Sequence, residues 1–219
     1  MLCRYHAAMQ PTSTGSIVEA LTRAIVEHRL QPGAKLVEQK LATQFGVSRT
    51  LVRQALFQLS QNQLIRMEPA RGAFVAAPSV TEARQVFAVR RMLEAGMTRA
   101  FLQTGTSADL DALKDHIAQE RAAVQRGDVP GRIALLGDFH VRMAELMGNT
   151  VLADMLRELL ARCALITLMH QSSSAAAHSH EEHSAIVAAL EMRDEPLALH
   201  LMDCHLCNVE NALGLDAAA

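Results

Sequence analysis

Three histidines, His140, His183 and His205, fall on apolar stripes of helix-patterned segments rather than on wet faces. His140 follows Phe139 and shares a stripe with Leu136, Met143 and Met147. His183 leads Ile186, Val187 and Leu190, and His205 follows Leu201 and Met202 and precedes Val209. All three should point inward. One inward histidine is ordinarily a satisfied core residue. Three from three helices of one bundle can instead offer neutral imidazole nitrogens to a divalent ion at ~2.0–2.1 Å. Zn2+, Ni2+ and Mn2+ are not separable at this level. The alternative is a metal-free polar pocket in which the same rings hydrogen-bond an organic acid.

A second group with chemical potential lies near the other end of the chain. Arg49 and Arg53 are four residues apart, so both guanidinium groups leave one face of a helix narrow enough to enter a DNA major groove. Arginine can bond O6 and N7 of guanine together, which makes these two residues candidates for base readout. Ser48 and Thr50 flank Arg49 at the start of that helix, where hydroxyls can donate to phosphate with help from the helix dipole. A charged face usually means only a solvated surface, so the elements around it decide the reading.

Those elements are legible. Ile17, Leu21, Ala24, Ile25 and His28 predict a helix over about 16–28, ended by Gln31-Pro32-Gly33. Leu41, Ala42 and Phe45 predict a short second helix over 38–45, stopped by Gly46. Ser48 caps a third over about 48–61, with Val52, Ala55, Leu56 and Leu59 inward. Two β-prone runs, 64–68 and 73–75, joined by Pro69-Ala70-Arg71-Gly72, predict a hairpin. Three helices and a small hairpin make a winged helix-turn-helix. Beyond Ala76-Ala77-Pro78-Ser79 the pattern is helical throughout, with segments at about 80–103, 107–126, 130–147, 150–170, 179–192 and 195–213. The fold class is therefore mainly α: a winged helix-turn-helix over 12–77, a linker over 78–85 and an all-helical bundle over 86–214.

Composition and charge narrow the function. The 219 residues are 50% hydrophobic and 20% charged, which excludes bulk disorder. Aromatics are 3% with no Trp, too few for a base-stacking platform. The start of the chain lacks the apolar run of a signal peptide and no segment reads as a bilayer span, so a cytoplasmic location and no membrane partner are expected. Cys3, Cys163, Cys204 and Cys207 show no disulfide spacing and should be reduced thiols. Residues 1–77 hold nine Lys/Arg against four Asp/Glu, while 78–219 hold twelve against nineteen, so net +5 faces net −7. The two halves must meet different partners. The larger acidic half argues against a DNA-packaging protein.

The run LVEQKLATQFGVSRTLVRQALFQLSQNQLIRMEPARGAFVA resembles the DNA-binding domain of the GntR family of bacterial transcription regulators. The resemblance implies that Arg71 and Gly72, at the hairpin tip, form a wing that reaches the minor groove. VFAVRRMLEAGMTRAFL, GDFHVRMAELMGN and EEHSAIVAALEMRDEPLALHLMDCHL resemble the ligand-binding FCD domain of the FadR-type branch. That second resemblance implies a metal held by His140, His183 and His205, although Leu136 stands where metal-binding members carry an aspartate. It also implies an effector-facing arginine. Arg90 is the choice, because a planar fork suits a carboxylate; for Arg91 a salt bridge with Glu94 is the competing reading.

Together these features predict a homodimeric regulator that is not an enzyme, whose two winged helices read an inverted repeat of double-stranded operator DNA. Its helical domain would bind a divalent metal and a small carboxylate effector. The rivals are a metal-free regulator and a metal-dependent hydrolase in which Glu182 assists water activation beside the three histidines.

Overall fold

A computed structural model describes residues 13–126, 129–170 and 179–213. Its first helix, α1 (Thr14–Val26), buries Ile17, Leu21, Ala24 and Ile25, and Ser13 caps it through a reciprocal box with Ser16. Helix α2 (Glu38–Phe45) ends at Gly46, whose φ of 67° is the left-handed geometry that favours glycine. Helix α3 (Arg49–Gln61) starts behind Ser48, whose hydroxyl accepts from Leu51 N at 3.2 Å.

The wing is a three-stranded antiparallel sheet in the order β1 (Lys35–Leu36), β3 (Gly72–Val75), β2 (Ile65–Glu68). Pairs Glu68↔Gly72 and Ile65↔Val75 set the hairpin register, with Gly72 at φ +97° in the tight turn. Strand β1 was not foreseen. Two residues carry no periodicity, and they become a strand only because Lys35 and Leu36 meet Phe74 and Ala73 across the chain.

Residues 76–79 carry no regular structure, and α4 (Val80–Thr104) already includes 80–85 because Ser79 accepts from Glu82 N and caps it. The predicted linker therefore overlaps the first turns of a helix. Then follow α5 (Ser107–Gln125), α6 (Val129–Leu146), α7 (Thr150–His170), α8 (Ser179–Glu191) and α9 (Glu195–Asn211). Asn149 caps α7 through Leu152 N, and Pro196 sits harmlessly in the first turn of α9. Ser179 opens α8 as a buried helical residue. The Ser/Ala-rich stretch around 172–177 and Cys3 lie outside the described residues. The three other cysteines are free.

Two cores matter for function. One, in the bundle, gathers Met97, Phe101, Leu113, Ile117, Phe139, Met143, Leu156, Ile186 and Met202. The other fills the winged helix with Ile17, Leu21, Phe45, Val52, Leu56, Leu59 and Val75, and α7 contributes Ala161 and Leu165 to it. The two lobes thus share apolar packing along α1 and α7.

Candidate functional site

His140, from α6, His183, from α8, and His205, from α9, are all buried, at 2%, 0% and 3% exposure. Each offers a nitrogen within 4.8 Å of the other two. The ring centroids lie 4.7–5.3 Å apart, and Phe139 stacks on His183 at 4.0 Å. Helical periodicity alone turned these residues inward; the bundle made them converge.

Each ring also meets a glutamate through Nδ1. His183 Nδ1–H donates to both oxygens of Glu120 at 3.0 Å. His205 Nδ1–H donates to Glu182 Oε2 at 2.7 Å. His140 Nδ1 lies 2.7 Å from Glu94 Oε2, at ion-pair distance but off the line of a hydrogen bond. His183 Nε2 is buried with no protein partner. A partnerless imidazole nitrogen beside two other imidazoles suits a cation with nitrogen affinity, so the residues present fit a divalent metal.

Electrostatics support the same fit. Burial holds all three imidazoles below the ordinary histidine range, hence neutral near pH 7. Burial alone would raise Glu94, Glu120 and Glu182, but Arg90 and His140, His116 and His183, and His205 and Asn208 respectively outweigh it and lower them. Three carboxylates therefore surround neutral rings, with Arg90 the buried guanidinium against them.

Arg90 is 2% exposed, and its Nε donates to Glu94 Oε1 at 2.7 Å. Its Nη1 approaches Cys163 Sγ at 3.7 Å, while Nη2 has no partner. Arg90 therefore takes the salt bridge with Glu94 that the sequence left open for Arg91, and still keeps one free edge. Arg91 instead pairs with Glu210 on α9. A cavity of about 800 Å³ is bounded at one end by Arg90, His140, Cys163 and His205, and at the other by Arg23 of α1 and Gln58 of α3. Asp138 lines this cavity but stays outside the histidine cluster. The side chain of Leu136 lies outside the described residues.

On the winged helix, Arg49 and Arg53 are exposed at 58% and 62%. Both turn to one acceptor, Glu38, in the first turn of α2. Arg53 Nε and Nη2 donate to its two oxygens at 2.8 Å, and Arg49 Nη2 donates at 3.3 Å. Thr50 is exposed beside them. At the hairpin tip Arg71 pairs with Glu68 at 2.5 Å and lies 5.3 Å from the Phe74 ring centre.

Sequence reasoning missed Glu38 and Glu120 as partners, and weighed Glu94 for Arg91 but not for Arg90 or His140. A signal existed for two: Glu94 falls among the buried Arg90, Met97 and Phe101 of α4, and Glu120 between the buried Ile117 and Ala123 of α5. A glutamate on an apolar stripe must find a buried partner. For Glu38 no signal was present, because it lies on a polar face.

The comparisons agree with this architecture. Residues 13–75 match the model of bacterial regulatory proteins of the gntR family, and residues 85–208 match the FCD domain. The chain is 26% identical to the HTH-type transcriptional repressor RspR of Escherichia coli strain K12, over 90% of this chain and 87% of that one. It is 28% identical to the HTH-type transcriptional regulator LutR of Bacillus subtilis strain 168, over 84% and 93%. Among solved structures, E. coli McbR/YncC superposes with a TM-score of 0.82 at 21% identity, covering 93% of this chain and 98% of that one. A GntR regulator from Rhodococcus sp. RHA1 gives 0.80 at 22%, covering 94% and 98%. These two likenesses speak for the fold alone. A winged helix with an exposed basic helix end, followed by a six-helix bundle matching the FCD domain over more than half of the chain, makes this protein a transcriptional regulator of the GntR family carrying an FCD domain.

Proposed function

We propose that the chain binds operator DNA through Ser48, Arg49, Thr50, Arg53, Arg71 and Gly72, and that a small carboxylate held near a metal in the bundle modulates that binding. The observation that carries this reading is the single cavity bounded by Arg90, His140 and His205 at one end and by α1 and α3 at the other. Its lining draws on both the histidine cluster and helices α1 and α3 of the winged helix. His140, His183 and His205 would hold Zn2+, Ni2+ or Mn2+ as a Lewis-acidic centre with open positions, and the free Nη2 edge of Arg90 would take the effector carboxylate. By linkage, the effector must weaken DNA binding by the factor by which DNA weakens effector binding.

A homodimer fits an inverted repeat. Helices α4 and α7 pack together and expose Val89 and Met92, and Val151 and Met155, respectively, which is apolar surface suited to a second copy. Binding to chromosomal DNA would put the protein in the bacterial cytoplasm; no helix among the described residues is long and apolar enough to cross a membrane. The hydrolase reading is disfavoured because Glu182 is spent on His205 and Asn208.

Gel retardation with a duplex selected from a random library tests the regulator. The expected result is sequence-dependent binding relieved by one member of a carboxylic-acid panel, more strongly with added metal than in chelator. Retention of DNA binding unchanged across the panel, or turnover of ester or amide substrates, would overturn it. Metal analysis of protein purified without chelator or affinity tag separates the metal-bound reading from the metal-free one.

A further inference from the structure

We infer that Glu94, Glu120 and Glu182 are positioning residues of the metal centre: Glu120 and Glu182 hold their imidazoles by Nδ1 hydrogen bonds, Glu94 stands at ion-pair distance from Nδ1 of the third, and Nε2 of each ring is left to ligate. The inference rests on the proposed metal reading and deepens it. An ionised carboxylate can only accept, so the proton between it and the ring belongs to Nδ1. The neutral ring then has its lone pair on Nε2, and that is the nitrogen found without a partner on His183.

The arrangement is one carboxylate for each ring, and every pair joins two helices. Glu94 of α4 faces His140 of α6, Glu120 of α5 faces His183 of α8, and Glu182 of α8 faces His205 of α9. Helix α5 supplies no ligand, yet Glu120 ties it to the centre; His116, one turn earlier, stands 3.5 Å behind Glu120 with Nε2 2.9 Å from Leu135 O. Asn208 Nδ2 donates to Glu182 at 2.7 Å and fixes that carboxylate in turn. A ring held this way cannot rotate its donor out of the site, and the carboxylate makes Nε2 a stronger donor.

Glu94 has a second duty, because its other oxygen accepts from Arg90 Nε. One carboxylate therefore touches both the effector-facing arginine and a metal-facing histidine.

Competition of Zn2+ between a fluorescent chelator and the full-length chain tests the assignment. Glu120→Gln should weaken zinc by ~10–100-fold, whereas Glu191→Gln, on the outer surface of α8, should stay within about threefold. Glu182→Gln, at a half-exposed position, gives the same readout if Glu120→Gln does not fold. A purely structural role would lower melting of the metal-free variant and leave zinc affinity of the folded protein unchanged. Long-range 1H–15N spectra of the zinc-loaded unmodified chain should show all three rings protonated on Nδ1 and bound through Nε2. A ring bound through Nδ1, or folded glutamine variants that bind as tightly as the unmodified chain, would overturn the inference alone. No zinc binding by the unmodified chain would overturn it together with the metal reading.

Discussion

The two candidate sites use carboxylates in opposite settings. On the winged helix, Glu38 meets Arg49 and Arg53 at the surface, with both guanidinium groups more than half exposed. Water and salt screen these pairs, so they contribute little stability and are exchangeable for phosphate or base edges. In the bundle, Glu94 and Glu120 are completely buried with their partners. There an unpaired charge is costly, so the network is held together. A DNA-reading surface must let go of its intramolecular partners; a sensing cavity must keep its polar groups aimed.

That contrast breaks first, and most strongly, at the bundle. His183→Ala removes a proposed ligand, so zinc affinity measured by chelator competition should fall by more than ~100-fold, beyond the cost of altering a carboxylate behind a ligand. Binding of the metal-free chain to its selected duplex should change by less than about threefold, well under the cost of a lost base contact. If both change together, the two sites are not separate.

Arg90→Met should come next. It leaves Glu94 buried without its cation, at about 3–5 kcal/mol of stability by chemical denaturation. The corresponding surface change, Glu38→Gln, should cost less than about 1 kcal/mol by the same measure.

At the DNA surface, Arg53→Ala should weaken the selected duplex by about 1–3 kcal/mol in fluorescence anisotropy and leave zinc affinity unchanged. A fall that is equal for all duplexes would demote Arg53 from base readout to phosphate contact.

The pH dependence sharpens the comparison further. Burial lowers His140, His183 and His205 below 6.5 in the folded, metal-free chain. As pH falls through 6.5 the unfolded chain takes up these protons first, so the stability present above 6.5 is progressively lost below it. His116 is raised, with Glu120 and Leu135 outweighing its burial; its contribution is present below 6.5 and partly opposes the loss. Melting temperatures of metal-free protein should therefore decline from pH 7.5 to 5.5, and saturating zinc should move the decline to lower pH. The smallest effect should be on DNA specificity: Glu38→Gln removes a negative charge beside the duplex and should tighten non-specific binding by a few-fold, on the order of one phosphate contact.

Much of this was legible in the residues. Stripes such as Val52, Ala55, Leu56 and Leu59 are dictated by the 3.6-residue turn, so α3 and its exposed arginines followed directly. The same periodicity turned His140, His183 and His205 inward, because it depends only on spacing within one helix. The cap Ser48 acts on backbone three residues away, and it too is local.

What periodicity could not supply is which inward faces meet. The Glu120–His183 pair spans 63 residues, Arg90 reaches Cys163 across 73, and β1 exists only against β3. The clamp of Glu38 on two arginines and the shared cavity between lobes were decided by helix packing. Sequence alone determined the elements and the polarity of their faces, since those follow from local sterics and hydrophobic spacing. Tertiary structure decided the partners, because a buried charge takes whichever counter-charge the packed core places within reach.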